Sequence, residues 1–113
     1  MANIIDIAAT IDSPSALTQE QGEIIYTLIS ESIQHKESIT LDFKNVESMI
    51  SPFLNAAIGK LYGAYSSEII NTYLHLSNFP LSKKSTLKIV TENAKKYYAN
   101  KEQYNSIAKD VIG

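Results

Sequence analysis

Three polar side chains, Asp42, Asn45 and Ser51, follow one another between an apolar strand pattern and the helix pattern after it. A carboxylate, an amide and a hydroxyl are groups that act in acid–base chemistry or bind a ligand. Asp42 and Asn45 have no evident catalytic partner, so we expect Asp42 to fix the turn after the strand. Ser51 precedes Pro52, which suits the first position of a helix, so Ser51 is predicted to be the N-cap.

Several other kinds of site lack the residues that they need. The sequence has no cysteine, which excludes disulfides, thiolate catalysis and cysteine-based zinc sites. The two histidines, His35 and His75, fall on separate elements without paired carboxylates, so no metal site is predicted. The four glycines form neither a phosphate-binding loop nor a dinucleotide fingerprint, so no cofactor is predicted. We therefore predict no catalytic residues and a protein that is not an enzyme.

Lysines and tyrosines are concentrated in the C-terminal third of the chain. They are Lys83, Lys84, Lys88, Lys95, Lys96, Lys101, Tyr97, Tyr98 and Tyr104. Basic and aromatic residues together can bind single-stranded nucleic acid, or the basic residues can contact an acidic protein partner. Lysines on the outer face of a helix are more often simply solvated, and the net charge of −2 gives no general attraction to phosphates. We expect no nucleic-acid partner.

A strand and a long helix surround the polar junction. Ile39, Leu41 and Phe43 alternate with polar residues, which predicts a half-buried strand. The helix starts at Ser51–Pro52 and carries an apolar stripe that faces the sheet. The stripe consists of Leu54, Ala57, Ile58, Leu61, Tyr62 and Tyr65.

The remaining elements alternate in type along the chain. We predict a strand within Asn3–Thr10, a helix from the capping box at Thr18–Gln21 to about His35, and a strand at Tyr73–Ser77. A helix follows from about Ser82, and Asn100 separates it from a short terminal helix. This order predicts one α/β domain over residues 1–113, with a largely parallel or mixed sheet of about four strands and helices packed on it. Because no apolar run reaches the length of a membrane span, we expect a cytoplasmic protein.

The residues of the strand and helix resemble those of the STAS domain, the fold of anti-sigma-factor antagonists. The resemblance lies in Leu41–Val46, in Ser51 and in Phe53–Gly59, and extends from about Thr18 to Tyr98. The chain is most similar to short bacterial STAS-like proteins of uncharacterised function. The resemblance implies a single STAS-like domain that regulates a partner by binding it.

Ser51 occupies the position that is phosphorylated in anti-sigma-factor antagonists, so the resemblance implies a phosphoacceptor. Phosphorylation would add about two negative charges beside a helix start. The sequence departs from the antagonist motif at three neighbours, where Ile50 replaces an aspartate, Pro52 a serine or threonine, and Phe53 a glycine. The alternative is that Ser51 serves only as the helix N-cap, which stabilises by about 1 kcal/mol.

Two glycines in the same helix, Gly59 and Gly63, share a face with Asn55. A glycine within a helix costs about 1 kcal/mol relative to alanine, so close contact with another backbone is expected there. The contact is either packing within the domain or an intermolecular surface.

By resemblance, the first hypothesis is a regulatory module that docks a histidine-kinase-like ATP-binding protein. The predicted partner-binding residues are Asn45, Val46, Glu47, Ser48, Ser51, Pro52, Phe53, Asn55 and Gly59. A homodimer is left open. The alternative hypothesis is a small-ligand-binding or small enzymatic domain that uses the carboxyl ends of the strands, where Asp42, Asn45, Ser51, Ser77 and Asn78 would meet.

Overall fold

In the computed structural model, the backbone is described for residues 3–112 and the side chains for residues 3–99. The strands are β1 (Asn3–Asp6), β2 (Ser15–Ala16), β3 (Ile39–Asp42), β4 (Ser48–Met49) and β5 (Leu74–Ser77). The α-helices are α1 (Ile7–Ile11), α2 (Gln19–Gln34), α3 (Ser51–Leu54), α4 (Leu61–Ala64), α5 (Ser67–Tyr73) and α6 (Lys84–Ile112). A π-helix (Asn55–Gly59) joins α3 to the turn before α4, and a 3-10 helix (Leu81–Lys83) precedes α6. The predicted α/β class is confirmed.

The main sheet has three parallel strands in the order β1-β3-β5. Ile39 and Leu41 of the central strand are buried, as the alternation predicted. The short strands β2 and β4 form a separate parallel pair, with Ser15 opposite Ser48 and Ala16 opposite Met49. The strands are thus divided between two sheets instead of forming one sheet of about four.

Helix α2 begins and ends where the sequence predicted. The Thr18 hydroxyl accepts a hydrogen bond from the Gln21 N–H at 3.1 Å, and the Gln21 side chain accepts one from the Thr18 N–H at 3.0 Å. This capping box satisfies two of the backbone donors that a helix start leaves unpaired. At the other end, His35 Nδ1 lies 2.8 Å from the Glu31 carbonyl oxygen.

The first strand is shorter than predicted. It ends at Asp6, whose carboxylate accepts a hydrogen bond from the Ala9 N–H at 3.1 Å and so caps α1. Ala8 and Ala9 favour a helix once it is capped, and Ile7 and Ile11 fall on its buried side. The β-branched residues of this segment therefore belong partly to a helix.

The helix that follows β4 differs from the prediction at its start and in its middle. The Leu54 N–H donates to the Ile50 carbonyl at 3.4 Å, which makes Ile50 the N-cap and Ser51 the first helical residue. Ser51 is therefore not the N-cap, because the turn begins one residue earlier. Further along, the Lys60 N–H donates to the Asn55 carbonyl, five residues back, at 3.0 Å. This wider turn is the π-helix, a form that is frequent at functional sites.

The helices pack closely at a glycine that the sequence analysis did not single out. A Cβ at Gly22 would lie 2.5 Å from the Phe53 carbonyl oxygen and 2.7 Å from the Ala56 Cβ. Helix α2 therefore contacts the backbone of α3 directly. This contact fixes the start of α3 against the core.

Gly59 and Gly63 pack within the molecule. Gly59 faces Val90 and Ala94 of α6, and Gly63 lies under the ring of Tyr98. Helix α6 thus covers this face, which confirms packing within the domain over an intermolecular surface. The same helix continues across Asn100, where a break was predicted.

Within the described residues, no helix combines the length and the apolar character that crossing a membrane requires.

Candidate docking surface

The segment before α3 is held in place by backbone hydrogen bonds to the chain around β2. The N–H groups of Glu47 and Ser48 donate to the Pro14 carbonyl at 2.8 and 3.3 Å, and the Ile50 N–H donates to the Ala16 carbonyl at 3.2 Å. A segment bonded along its backbone pays little ordering entropy when a partner binds it. The loop is therefore a preformed surface.

The predicted partner-binding residues divide between the surface and the core. The exposed ones are Asn45, Glu47, Ser48, Ser51, Pro52 and Asn55. Val46 is half-buried and packs against the core. Phe53 and Gly59 are buried, the first in the core and the second under α6, so neither is available to a partner. The surface is therefore narrower than the sequence predicted.

Two apolar residues, Leu17 and Ile50, belong to the same surface and were not predicted to. Their side chains are 40% and 44% exposed. Met49 is buried between Ser48 and Ile50, which therefore share the outer side of β4. Leu17 directly follows Ala16, whose carbonyl accepts a hydrogen bond from the Ile50 N–H at 3.2 Å, so the backbones of Leu17 and Ile50 are close. The burial of Met49, which the sequence alone does not show, is what places Ile50 on the outer side.

We define the docking surface as Leu17, Glu47, Ser48, Ile50, Ser51 and Pro52. Ser51 lies at its edge, exposed and without a capping hydrogen bond. Its hydroxyl is not needed for the helix start, so a modification there would not remove a cap. The arrangement combines an apolar centre with hydroxyl and carboxylate groups at the rim, which is common in protein interfaces.

A second group of polar residues lies at the carboxyl ends of the main strands. Asp6, Asp42 and Ser77 are aligned across β1, β3 and β5. The Asn45 side-chain amide donates to Asp6 at 2.8 Å, and the Asn78 amide donates to Asp42 at 3.0 Å. The structure thus brings together the residues of the alternative hypothesis except Ser51, which lies beyond β4.

These hydrogen bonds set the charge of Asp42. The Asn78 amide, the Lys44 N–H at 2.9 Å and the Lys44 ammonium lower the pKa of Asp42 below its usual value, against a smaller opposing effect of desolvation. A carboxyl group that exchanges protons near neutral pH needs a raised pKa. Asp42 is instead a fixed anion that holds the turns at Lys44 and Asn78, as the sequence analysis expected.

A cleft of about 360 Å³ opens beside Asp6, Asp12 and Asn45. Asp6 already accepts bonds from the Ala9 N–H and the Asn45 amide, so its oxygens are engaged in holding the local structure. Within residues 3–99, no group of three or more histidine or acidic side chains is placed to hold a metal ion. His75 lies exposed on β5, far in the chain from the helix end that His35 caps.

Comparison with known proteins identifies the family. A family model described as "STAS-like domain of unknown function (DUF4325)" matches residues 21–82, more than half of the chain. No curated protein and no solved structure matches the chain. The matched segment runs from α2 through β3, β4, α3 and β5 and includes most of the docking surface. The chain therefore belongs to the family of STAS-like domains of unknown function.

Proposed function

We propose that this protein is a non-enzymatic regulatory module that binds a protein partner through the docking surface. The observation that supports it most is the exposed pair Leu17 and Ile50, held on a backbone-bonded segment beside Ser51. Apolar side chains that a preformed surface leaves exposed are typical of interaction sites. Burying them would supply affinity, and the rim residues would supply specificity.

The proposed partner is a histidine-kinase-like ATP-binding protein in a bacterial cytoplasm. The support is the resemblance to anti-sigma-factor antagonists, which act on such proteins with the same region of the fold. Ser51 is the proposed switch. A phosphate there would place about two negative charges next to Ile50, and desolvating that charge in an apolar interface would weaken binding.

The experiment is a capture from lysate of the native host with three tagged proteins: wild type, I50K and I24K. Ile24 is a matched control, because it is 46% exposed and lies on α2, outside the docking surface. We expect wild type and I24K to retain an ATP-binding protein of the histidine-kinase type and I50K to lose it. Equal retention by all three proteins, or capture of no ATP-binding protein by wild type, would contradict the proposal.

A further inference from the structure

A groove lies between β5 and α6, outside the docking surface. It has a volume of about 670 Å³ and an apolar floor formed by Leu76, Phe79 and Leu87. Lys84 and Lys88 stand on its α6 side. Phe79 is fixed by an edge-to-face contact with Phe43 at 4.9 Å between ring centres, so the floor is tied to the core.

The strand beside this groove is an edge of the main sheet. β5 pairs with β3 on one side and with no strand of the described chain on the other. The Ser77 carbonyl accepts a hydrogen bond at 3.0 Å from the N–H of Phe43, the residue after β3, so the backbone groups of Ser77 point toward β3. Because the backbone groups of successive strand residues alternate in direction, the N–H and C=O of Leu76 point outward, toward the open edge. An open edge of this kind pairs readily with an extended segment of another chain.

The positive charge around the groove favours an acidic segment. Its lining contains two ammonium groups and no carboxylate. Among residues 3–99 the one ion pair is Lys60 with Glu23, so Lys84 and Lys88 have no acidic partner there. A second copy of this chain would bring the same two lysines to the edge and repel the first. Acidic side chains on the incoming segment would complement them.

We propose that this groove binds an extended acidic segment of a partner protein as an added strand on β5. The backbone of the segment would pair with Leu76, and an apolar side chain would lie over Leu76 and Leu87. Carboxylates on the segment would face Lys84 and Lys88. This surface is separate from the docking surface around Ile50 and does not depend on it. A small amphipathic anion would fit the apolar floor but could not pair with the strand edge, so the observations favour a peptide.

The test uses the full chain and a set of short fluorescein-labelled peptides that carry glutamate and one valine, leucine or phenylalanine at every second position, with serine between them, so that the apolar and acidic side chains share one face of the added strand. A matched set carries lysine in place of glutamate. We expect at least one glutamate peptide to bind by fluorescence anisotropy, with binding that weakens as salt rises. The lysine peptides should not bind. Absence of binding across the glutamate set, or equal binding of both sets, would overturn the proposal.

Two variants of α6 distinguish binding in the groove from a general effect of the protein's charge. K88E should weaken the glutamate peptide about tenfold, because an attraction becomes a repulsion. K96E makes the same charge change at an exposed site outside the groove and should leave binding nearly unchanged. The double variant K84E/K88E should reverse the preference toward the lysine peptides. Circular dichroism confirms that each variant is folded. If a glutamate peptide bound K84E/K88E as tightly as wild type, the proposal that it binds in the groove would be contradicted.

Amide exchange distinguishes a bound strand from a bound amphiphile. Peptide pairing should slow exchange of the Leu76 amide in NMR spectra, since its N–H would gain a hydrogen bond. Dodecanoate serves as the alternative probe. If dodecanoate shifts the Leu87 signals while no peptide protects Leu76, the groove is a small-ligand site and the added-strand proposal is wrong.

Discussion

At the scale of single residues, the polar side chains at the carboxyl ends of the main strands form hydrogen bonds that fix the turns after those strands. Asp42 accepts hydrogen bonds from the Asn78 amide and the Lys44 N–H. Asn78 adopts a left-handed backbone with φ of 56°, a conformation that asparagine tolerates better than most residues. The two turns are thus built around one carboxylate.

This arrangement predicts a measurable titration. N78G keeps the left-handed backbone and removes the amide, so the pKa of Asp42 should rise toward its usual value. Because the folded pKa of wild-type Asp42 lies below its unfolded one, its contribution to stability is present above the unfolded pKa. That contribution is lost as the pH falls through the folded pKa. NMR titration of the Asp42 side-chain carboxyl carbon measures the shift, and an unchanged pKa in N78G would show that the Asn78 contact does not matter.

Removing a hydroxyl is predicted to destabilise the protein at the start of α2 but not at the start of α3. Thr18 caps α2 with its side chain, so T18A should lower the free energy of unfolding by about 1 kcal/mol. Ser51 makes no capping bond, so S51A should change it by less than about 0.5 kcal/mol. Urea denaturation of both variants decides the matter. If S51A lowered the free energy of unfolding as much as T18A does, Ser51 would be shown to cap the helix.

At the scale of elements, the contact between α2 and α3 depends on the absence of a side chain at Gly22. G22A would place a methyl group against the Phe53 carbonyl, a backbone atom that cannot easily move. We expect a loss of about 1–3 kcal/mol in the free energy of unfolding. G59A is the control, because its Cβ would have only ordinary contacts at 3.6 Å or more, and it should cost little. If thermal unfolding showed G22A to be as stable as G59A, the close approach of the helices would be disproved.

The sequence predicted the elements that carry a regular pattern and missed those that do not. Helix α2 was recognisable from its capping box and stripe, and β3 from alternation. The pair β2–β4 has two residues per strand, too few for a period. The π-helix arises because the Lys60 N–H donates to the Asn55 carbonyl, five residues back. The spacing of hydrophobic residues does not predict this hydrogen-bond partner.

The candidate site was predictable in part. The polar residues Glu47, Ser48 and Ser51 were predicted to bind a partner because of the resemblance to anti-sigma-factor antagonists, and the structure shows that they are exposed. Leu17 and Ile50 were missed, since an apolar residue is expected inside until its neighbours show otherwise. Phe53 and Gly59 were included because they belong to the resembling motif, and only the packing shows that they are covered.

At the scale of the whole molecule, the two surfaces proposed to bind partners lie on different elements. The docking surface lies before α3, on the chain held by β2, and the groove lies at the β5 edge. Both are fixed to a core that includes Leu41, Phe43 and Met49. A module with two separate surfaces can bind one protein tightly or bridge two, and the proposals for the two surfaces fail independently.

The most direct test of the docking surface is hydrogen–deuterium exchange on the complex that the lysate capture yields. Binding should slow exchange in residues 14–18 and 46–52, because the partner covers the backbone beside Leu17 and Ile50. Residues 24–34 of α2 should exchange as in the free protein. Protection confined to other segments, with 46–52 unchanged, would show that the partner binds elsewhere and would contradict the proposed function.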